Sequence, residues 1–319
     1  MNNKLHVSSS PHLRTSQDTS YLMMLVLLAL VPSAVMGIVN FGWKALILMI
    51  VSMLSCVLFE TLINVLRNKP NTIRDCSALI TGLLLAMNLP VNAPLWIPII
   101  GSAFAIIIVK MIFGGLGQNI VNPALAARCF LLISFAGIMC DFSGAQPLIG
   151  GIDTMSSATP LAIMKAGESI SLSDAFIGFT SGTIGETSAM ALFFGGLFLV
   201  FKKVIDIRIP LSYILSFVIM MGIIGPKGFD LYYLACQVCS GGLMLGAWFM
   251  ATDYVTSPIT PNGRLIFGIV LGILTALFRC GGSSIEGVSY AILFGNLLVP
   301  LIEKITIRTA FGRRGGKHA

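Results

Sequence analysis

The residues of this chain best suited to chemistry are a threonine in a polar loop and two carboxylates set against apolar runs. Asp153-Thr154-Met155-Ser156-Ser157-Ala158-Thr159-Pro160 lies in the only long polar stretch between strongly hydrophobic blocks. Ser156, Ser157 and Ala158 put little bulk around the Thr159 hydroxyl, and Pro160 biases Thr159 toward an extended backbone. That hydroxyl is expected to be open to modification by a large group; taken alone, the octapeptide is more ordinarily a Ser/Thr-rich turn. Glu60 falls about two turns from the inner end of the second apolar block, where an unpaired carboxylate is costly. It is either a functional carboxylate or a snorkelling partner of Arg67, which lies on nearly the same helix face. Asp253 ends the eighth block beside Tyr254-Val255-Thr256-Ser257-Pro258, a proline-broken connection whose carbonyls and helix end could hold a cation. Arg264 would instead make Asp253 half of a plain salt bridge.

The elements that must position these groups are membrane helices. Apolar residues make up 56% of the chain, charged residues 10%, and mean hydropathy is +0.91, whereas soluble domains carry roughly 25% charged residues. Windows of about 20 apolar residues place ten spans, near 21–40, 44–66, 76–89, 94–112, 124–139, 188–205, 210–224, 231–251, 265–280 and 285–303. The first is expected to be retained, because residues 1–20 make a long polar lead and no small-residue cleavage site follows Leu30. With the N-terminus inside, sixteen of the twenty Lys and Arg fall on the cytoplasmic side, and Lys44, Lys165, Lys227 and Arg279 face out. That split places both termini in the cytoplasm, so the net charge of +7 reports topology and no nucleic-acid partner is needed to explain it. The basic tail after Lys304 is a solvated end, or a contact with anionic lipid or a partner subunit.

This reading divides the chain into a cytoplasmic arm (1–20), a first transmembrane unit (21–139), an external loop (140–187), a second transmembrane unit (188–304) and a basic tail (305–319). The third span, Cys76 to Leu89, is short for a full crossing and suits a half-wound segment. Gly114-Gly115-Leu116-Gly117-Gln118-Asn119 to Asn122-Pro123 suits an irregular connection that caps span five, with Pro123 in its first turn. It lacks the Gly-Lys-Ser/Thr end of a phosphate loop. Cys236 and Cys239 form a C-x-x-C without a second pair, so a four-thiolate site within this chain is unsupported. Cys76-Ser77 and Gly114-Gly115 recur as Cys239-Ser240 and Gly281-Gly282, at offsets of 163 and 167 residues. Five spans per half is an odd number, so a repeat of this kind inverts its topology about an axis in the membrane plane.

Several motifs together resemble the RnfD/NqrB family, membrane subunits of the Rnf and sodium-pumping NADH:quinone oxidoreductase complexes. Asp153 to Thr159 resembles its flavinylation motif D-x-x-S-x-A-T, with Ser157 where Gly is frequent. Asp75 to Ala78 and Thr81 to Pro90 resemble D-G-S-A and T-G-L-L-L-x-x-x-L-P, with Cys76 for the Gly. Gly114 to Ala124 resembles G-G-x-G-x-N-x-x-N-P-A. Thr252 to Gly263 resembles T-D-P-V-T-S-P-x-T-P-x-G, with Tyr254 for Pro. Glu286-Gly287-Val288, Ala291-Ile292-Leu293, Asn296 and Pro300 follow the same series, while Ser284-Ile285 replaces its usual Tyr-Pro. The resemblance covers spans three to ten.

It implies FMN joined by a phosphoester to the Thr159 side-chain oxygen, installed by a separate flavin transferase, with Asp153, Ser156, Ser157 and Ala158 as recognition residues. It further implies an electron-transfer subunit of a multi-subunit translocase in the bacterial cytoplasmic membrane. Electron flow between ferredoxin and NAD, or from NADH to quinone, would be coupled to Na⁺ or H⁺ movement with Asp253 and Glu60 as coupling candidates. A second, non-covalent flavin such as riboflavin occurs in the family, without assignable residues here. The competing reading is a solute channel or secondary transporter, since the family is thought to share its architecture with urea and ammonium channels and fold alone does not choose. Thr159 favours the redox reading, because a channel has no use for a flavin attachment sequence.

Overall fold

A backbone in lipid must satisfy its polar groups internally, and a helix does so within one segment. The computed structural model describes residues 18–69, 72–142, 159–281 and 287–307, and among these residues there is no strand. The first half holds α1 (Thr19–Phe41), α2 (Trp43–Leu66), α3 (Ser77–Met87), α4 (Trp96–Met111), α5 (Pro123–Ser134) and the single turn α6 (Ala136–Met139). Two short helices follow, α7 (Pro160–Lys165) and α8 (Leu172–Ile177). The second half holds α9 (Ala189–Phe201), α10 (Arg208–Ile224), α11 (Leu231–Cys239), α12 (Leu243–Met250), α13 (Pro261–Gly281) and α14 (Val288–Thr306).

By length and composition α1, α2, α13 and α14 can each cross a membrane, and α11 with α12 makes a fifth candidate, bent by 66°. The remaining windows hold shorter apolar helices, α3, α4, α5, α9 and α10. The protein is thus an all-α, multi-pass membrane protein. The two halves keep a common register: α2 and α10, α4 and α13, and α5 and α14 begin 165 residues apart, and α3 and α12 begin 166 apart.

Small residues let the helices approach where apolar burial gives no driving force between them. Gly268 and Gly272 on α13 face Ser212 and Ser216 on α10, and a Cβ on either glycine would come within 1.9 Å of a serine oxygen. α3 is half a span, as its sequence suggested, and its last carbonyls are taken by the loop before α9. The Ile184 and Gly185 amides donate to Leu89 and Met87 at 3.1 and 2.7 Å. At the start of α5 the Asn122 side chain accepts from the Ala124 amide at 3.1 Å, with Pro123 in the first turn.

Cys76, between α2 and α3, sits in the left-handed region at φ 56°, ψ 5°. A side chain there costs about 1–2 kcal/mol relative to glycine. Cys76→Gly is therefore expected to raise stability by about 1 kcal/mol, partly offset by the freer unfolded chain, read as more monodisperse protein surviving a heating series. A variant that survives less well would show that the contact of the thiol with the Arg74 carbonyl, 3.7 Å, outweighs the backbone strain.

Candidate functional site

Thr159 stands at the head of α7 with φ −70° and ψ 154°, the extended backbone its following proline requires. Its Oγ1 caps the helix by accepting from the Ala162 amide at 3.4 Å. The hydroxyl is less open than its small neighbours suggested. Thr159 is 9% exposed, because α7 folds into a cleft it shares with Leu161, Ser181, Glu186, Ser240 and Gly241. Asp153, Ser156, Ser157 and Ala158 lie outside the described residues.

The floor of this cleft is the break between α11 and α12. Gly241 and Gly242 both have positive φ, 70° and 66°, and neither could take a side chain. A Cβ on Gly241 would come 2.1 Å from Leu161, and one on Gly242 would come 2.5 Å from the Glu186 carboxylate. The carbonyls freed by the bend need donors in a setting without water. Arg279, near the end of α13, supplies them: its guanidinium donates to the Ser240 and Gly241 carbonyls at 2.9 and 3.1 Å and to the Gln237 carbonyl at 2.6 Å. Arg279 is therefore a buried structural cation and not the outward-facing charge of the topology count. Glu186 pairs with Arg128 on α5 at 3.3 Å, and Arg128 also donates to Ser289 on α14 at 2.7 Å, so this buried link ties both halves to the cleft.

A second polar cluster lies beyond the other end of α12. Glu60 is 2% exposed, and its partner is Lys110 on α4, with Nζ 2.7 Å from Oε2. Lys110 also donates to Ser77 at 2.8 Å, and Thr72 donates to Glu60 at 2.6 Å. The expected partner Arg67 is directed elsewhere, to the Met111 carbonyl at 2.5 Å. Lys110 reaches inward because α4 widens to a π-helical turn over Phe104–Met111, a local rewinding found frequently at functional sites.

Asp253 lies three residues beyond the end of α12. Its carboxylate accepts from Thr256 at 3.1 Å. Arg264 does not pair with it. That guanidinium binds Asp206 at 2.9 Å and the Pro258 carbonyl at 3.1 Å. Burial works to raise the pKa of Asp206, but the Arg208 amide and the Arg264 guanidinium outweigh it, and the carboxyl titrates below its ordinary value. The small stabilisation from this pair is present at neutral pH and is lost as pH falls through that lowered pKa.

Asp253 and Lys110 line one cavity of about 80 Å³ with Asn119, Asn122 and Trp248. Within it Asn119 Oδ1 and Trp248 Nε1 are buried without hydrogen-bond partners among the described residues. The structure thus brings Glu60 and Asp253 to one region through Lys110, and holds Thr159 apart from both. Sequence reasoning passed over Lys110, Arg128 and Arg279, counting them only by the side of the membrane they fall on. A single cation inside an apolar run is the signal that marks them. With these three buried, fourteen inner and three outer basic residues remain to report topology.

The model of the NQR2, RnfD, RnfE family matches residues 6–312. The chain is 48% identical to a subunit of the Na⁺-translocating ferredoxin:NAD⁺ oxidoreductase complex of Acetobacterium woodii, over 97% of this chain and 95% of the relative. It is 41% identical to the corresponding subunit of the proton-translocating ferredoxin:NAD⁺ oxidoreductase complex of Clostridium ljungdahlii, over 97% and 96%. It is 36% identical to that of the ion-translocating oxidoreductase complex of Escherichia coli K12, over 97% and 99%.

Proposed function

Because the chain belongs to the NQR2, RnfD, RnfE family, we propose that it carries electrons between partner subunits of an ion-translocating oxidoreductase complex, through FMN held covalently on Thr159. The single observation that carries this reading is Thr159 itself, an extended residue ahead of Pro160 on the rim of a polar cleft. Its described contact uses Oγ1 only as an acceptor, so a phosphoester that replaces the hydroxyl proton sacrifices no described hydrogen bond. Bound flavin supplies the one- and two-electron chemistry. The chain's own residues fix where it sits: Arg279 holds the bent backbone beneath the cleft, and Arg128 with Glu186 locks the loop before α9 against α5. Two relatives are named as subunits of ferredoxin:NAD⁺ oxidoreductase complexes, which supports ferredoxin and NAD⁺ as the electron partners in this reading. Other subunits and a flavin transferase are this chain's partners, in a bacterial cytoplasmic membrane with both termini inside.

We assign the common register of the two halves to an inverted five-helix repeat. The channel reading shares that register but gives the Thr159 motif no role. Expressed with a flavin transferase, the subunit should give a fluorescent band that survives denaturing electrophoresis. Thr159→Val should abolish the band and leave membrane insertion intact, since one helix-cap hydroxyl contributes about 1 kcal/mol. A Val variant with an undiminished band would place the attachment elsewhere.

A further inference from the structure

Next to the Thr159 cleft lies a larger cavity of about 270 Å³, framed by Leu161 and Lys165 of α7, Tyr233 and Gln237 of α11, and Arg279 of α13. We propose that this cavity is the docking place of the flavin ring carried on Thr159, and that Lys165 is a positioning residue whose charge raises the flavin's potential. The inference rests on the attachment proposed above.

Size favours the larger space. The Thr159 cleft offers only about 10 Å³, far too little for a ring system, whereas the neighbouring cavity offers about 270 Å³, close to the lower end of the roughly 300–1,000 Å³ of small-molecule sites. Leu161 walls both, so a group tethered at Thr159 passes from one to the other around a single side chain. The lining also suits an electron-accepting aromatic ring. Tyr233 offers a phenol face, and its hydroxyl accepts from Gln237 Nε2 at 3.2 Å. Three cations surround it: Lys227 lies 5.8 Å from the Tyr233 ring, Lys165 ends α7, and Arg279 sits behind Gln237 at 3.0 Å. The nearest acids are Asp230, which caps the head of α11, and Glu186, whose charge acts on Arg279 across the break. Positive charge stabilises the electron-rich reduced ring over the oxidised one, which raises the midpoint potential.

The test is a spectroelectrochemical titration of the flavinylated complex, with native fluorescence beside it. Lys165→Gln should shift the reduction equilibrium three- to tenfold toward the oxidised form, about 15–30 mV for a two-electron couple, and Lys165→Arg should restore it. Tyr233→Leu should brighten the native flavin, because removing a stacked phenol removes an electron-transfer quencher. Arg279 is left intact, since it holds the break between α11 and α12. If the variants carry covalent flavin but potential and native fluorescence match the wild type, docking in this cavity is wrong while attachment at Thr159 stands. If no variant carries covalent flavin, the attachment itself fails and this inference goes with it.

Discussion

Lys110→Met is expected to destabilise the protein by about 3–5 kcal/mol, the usual consequence of leaving one half of a buried ion pair unpaired. Lys110 and Glu60 are each 2% exposed, and with Lys110 gone the described donor left to the Glu60 carboxylate is Thr72. Glu60→Gln alone should fall in the same direction, stranding the ammonium with Ser77. The double variant, Glu60→Gln with Lys110→Met, should recover most of the loss, because replacing both charges removes the desolvation cost along with the attraction. Thermal survival of monodisperse subunit across the four proteins reads the cycle directly. A double variant no more stable than the singles would mean that the two charges do not compensate each other.

Asp253→Asn is expected to keep the subunit's abundance and its flavin while ion-dependent turnover of the complex is lost. The structure sharpens this prediction by removing the competing explanation: Arg264, which would have made Asp253 a structural bridge, is held by Asp206. Asp253 instead faces a cavity with two polar atoms that have no partner among the described residues, Asn119 Oδ1 and Trp248 Nε1, and one buried ammonium, Lys110. An Asn is isosteric, removes the charge, and keeps one oxygen that can accept from Thr256. Reconstituted vesicles of the whole complex, assayed for turnover with and without the coupling ion, distinguish the cases. Unchanged ion-dependent turnover in a well-expressed variant would remove Asp253 from coupling. Both Na⁺ and a proton gradient belong in the assay, because relatives at 48% and 41% identity are named for different ions.

The helices were legible because each is a local apolar run. So were the half-length of α3 and the Asn122 cap, which depend on residues within one segment. The bend between α11 and α12 was not read from the eighth window, although Ser240-Gly241-Gly242 inside an apolar run is a breaking signal in its own right. The ion pairs were illegible for a different reason. Glu60 and Lys110 are fifty residues apart, and Asp206 and Arg264 fifty-eight. Which charges meet depends on the depth and rotation of two helices, and no window along one chain holds that information. Nearest-in-sequence cations, Arg67 and Arg264, were the natural guesses, and both proved to serve backbone carbonyls. Thr159 was legible as a motif, while its burial was not, because the cleft is built from α7, the loop before α9 and the bent backbone after α11.

Covalent flavin on Thr159 is tested most directly by peptide mass spectrometry of the subunit purified from cells that express a flavin transferase. The peptide containing Thr159 is expected to carry the added mass of an FMN phosphoester, with fragmentation assigning it to Thr159, and the Thr159→Val protein is expected to lack it. An unmodified Thr159 peptide, or the same added mass on another residue, would contradict the attachment.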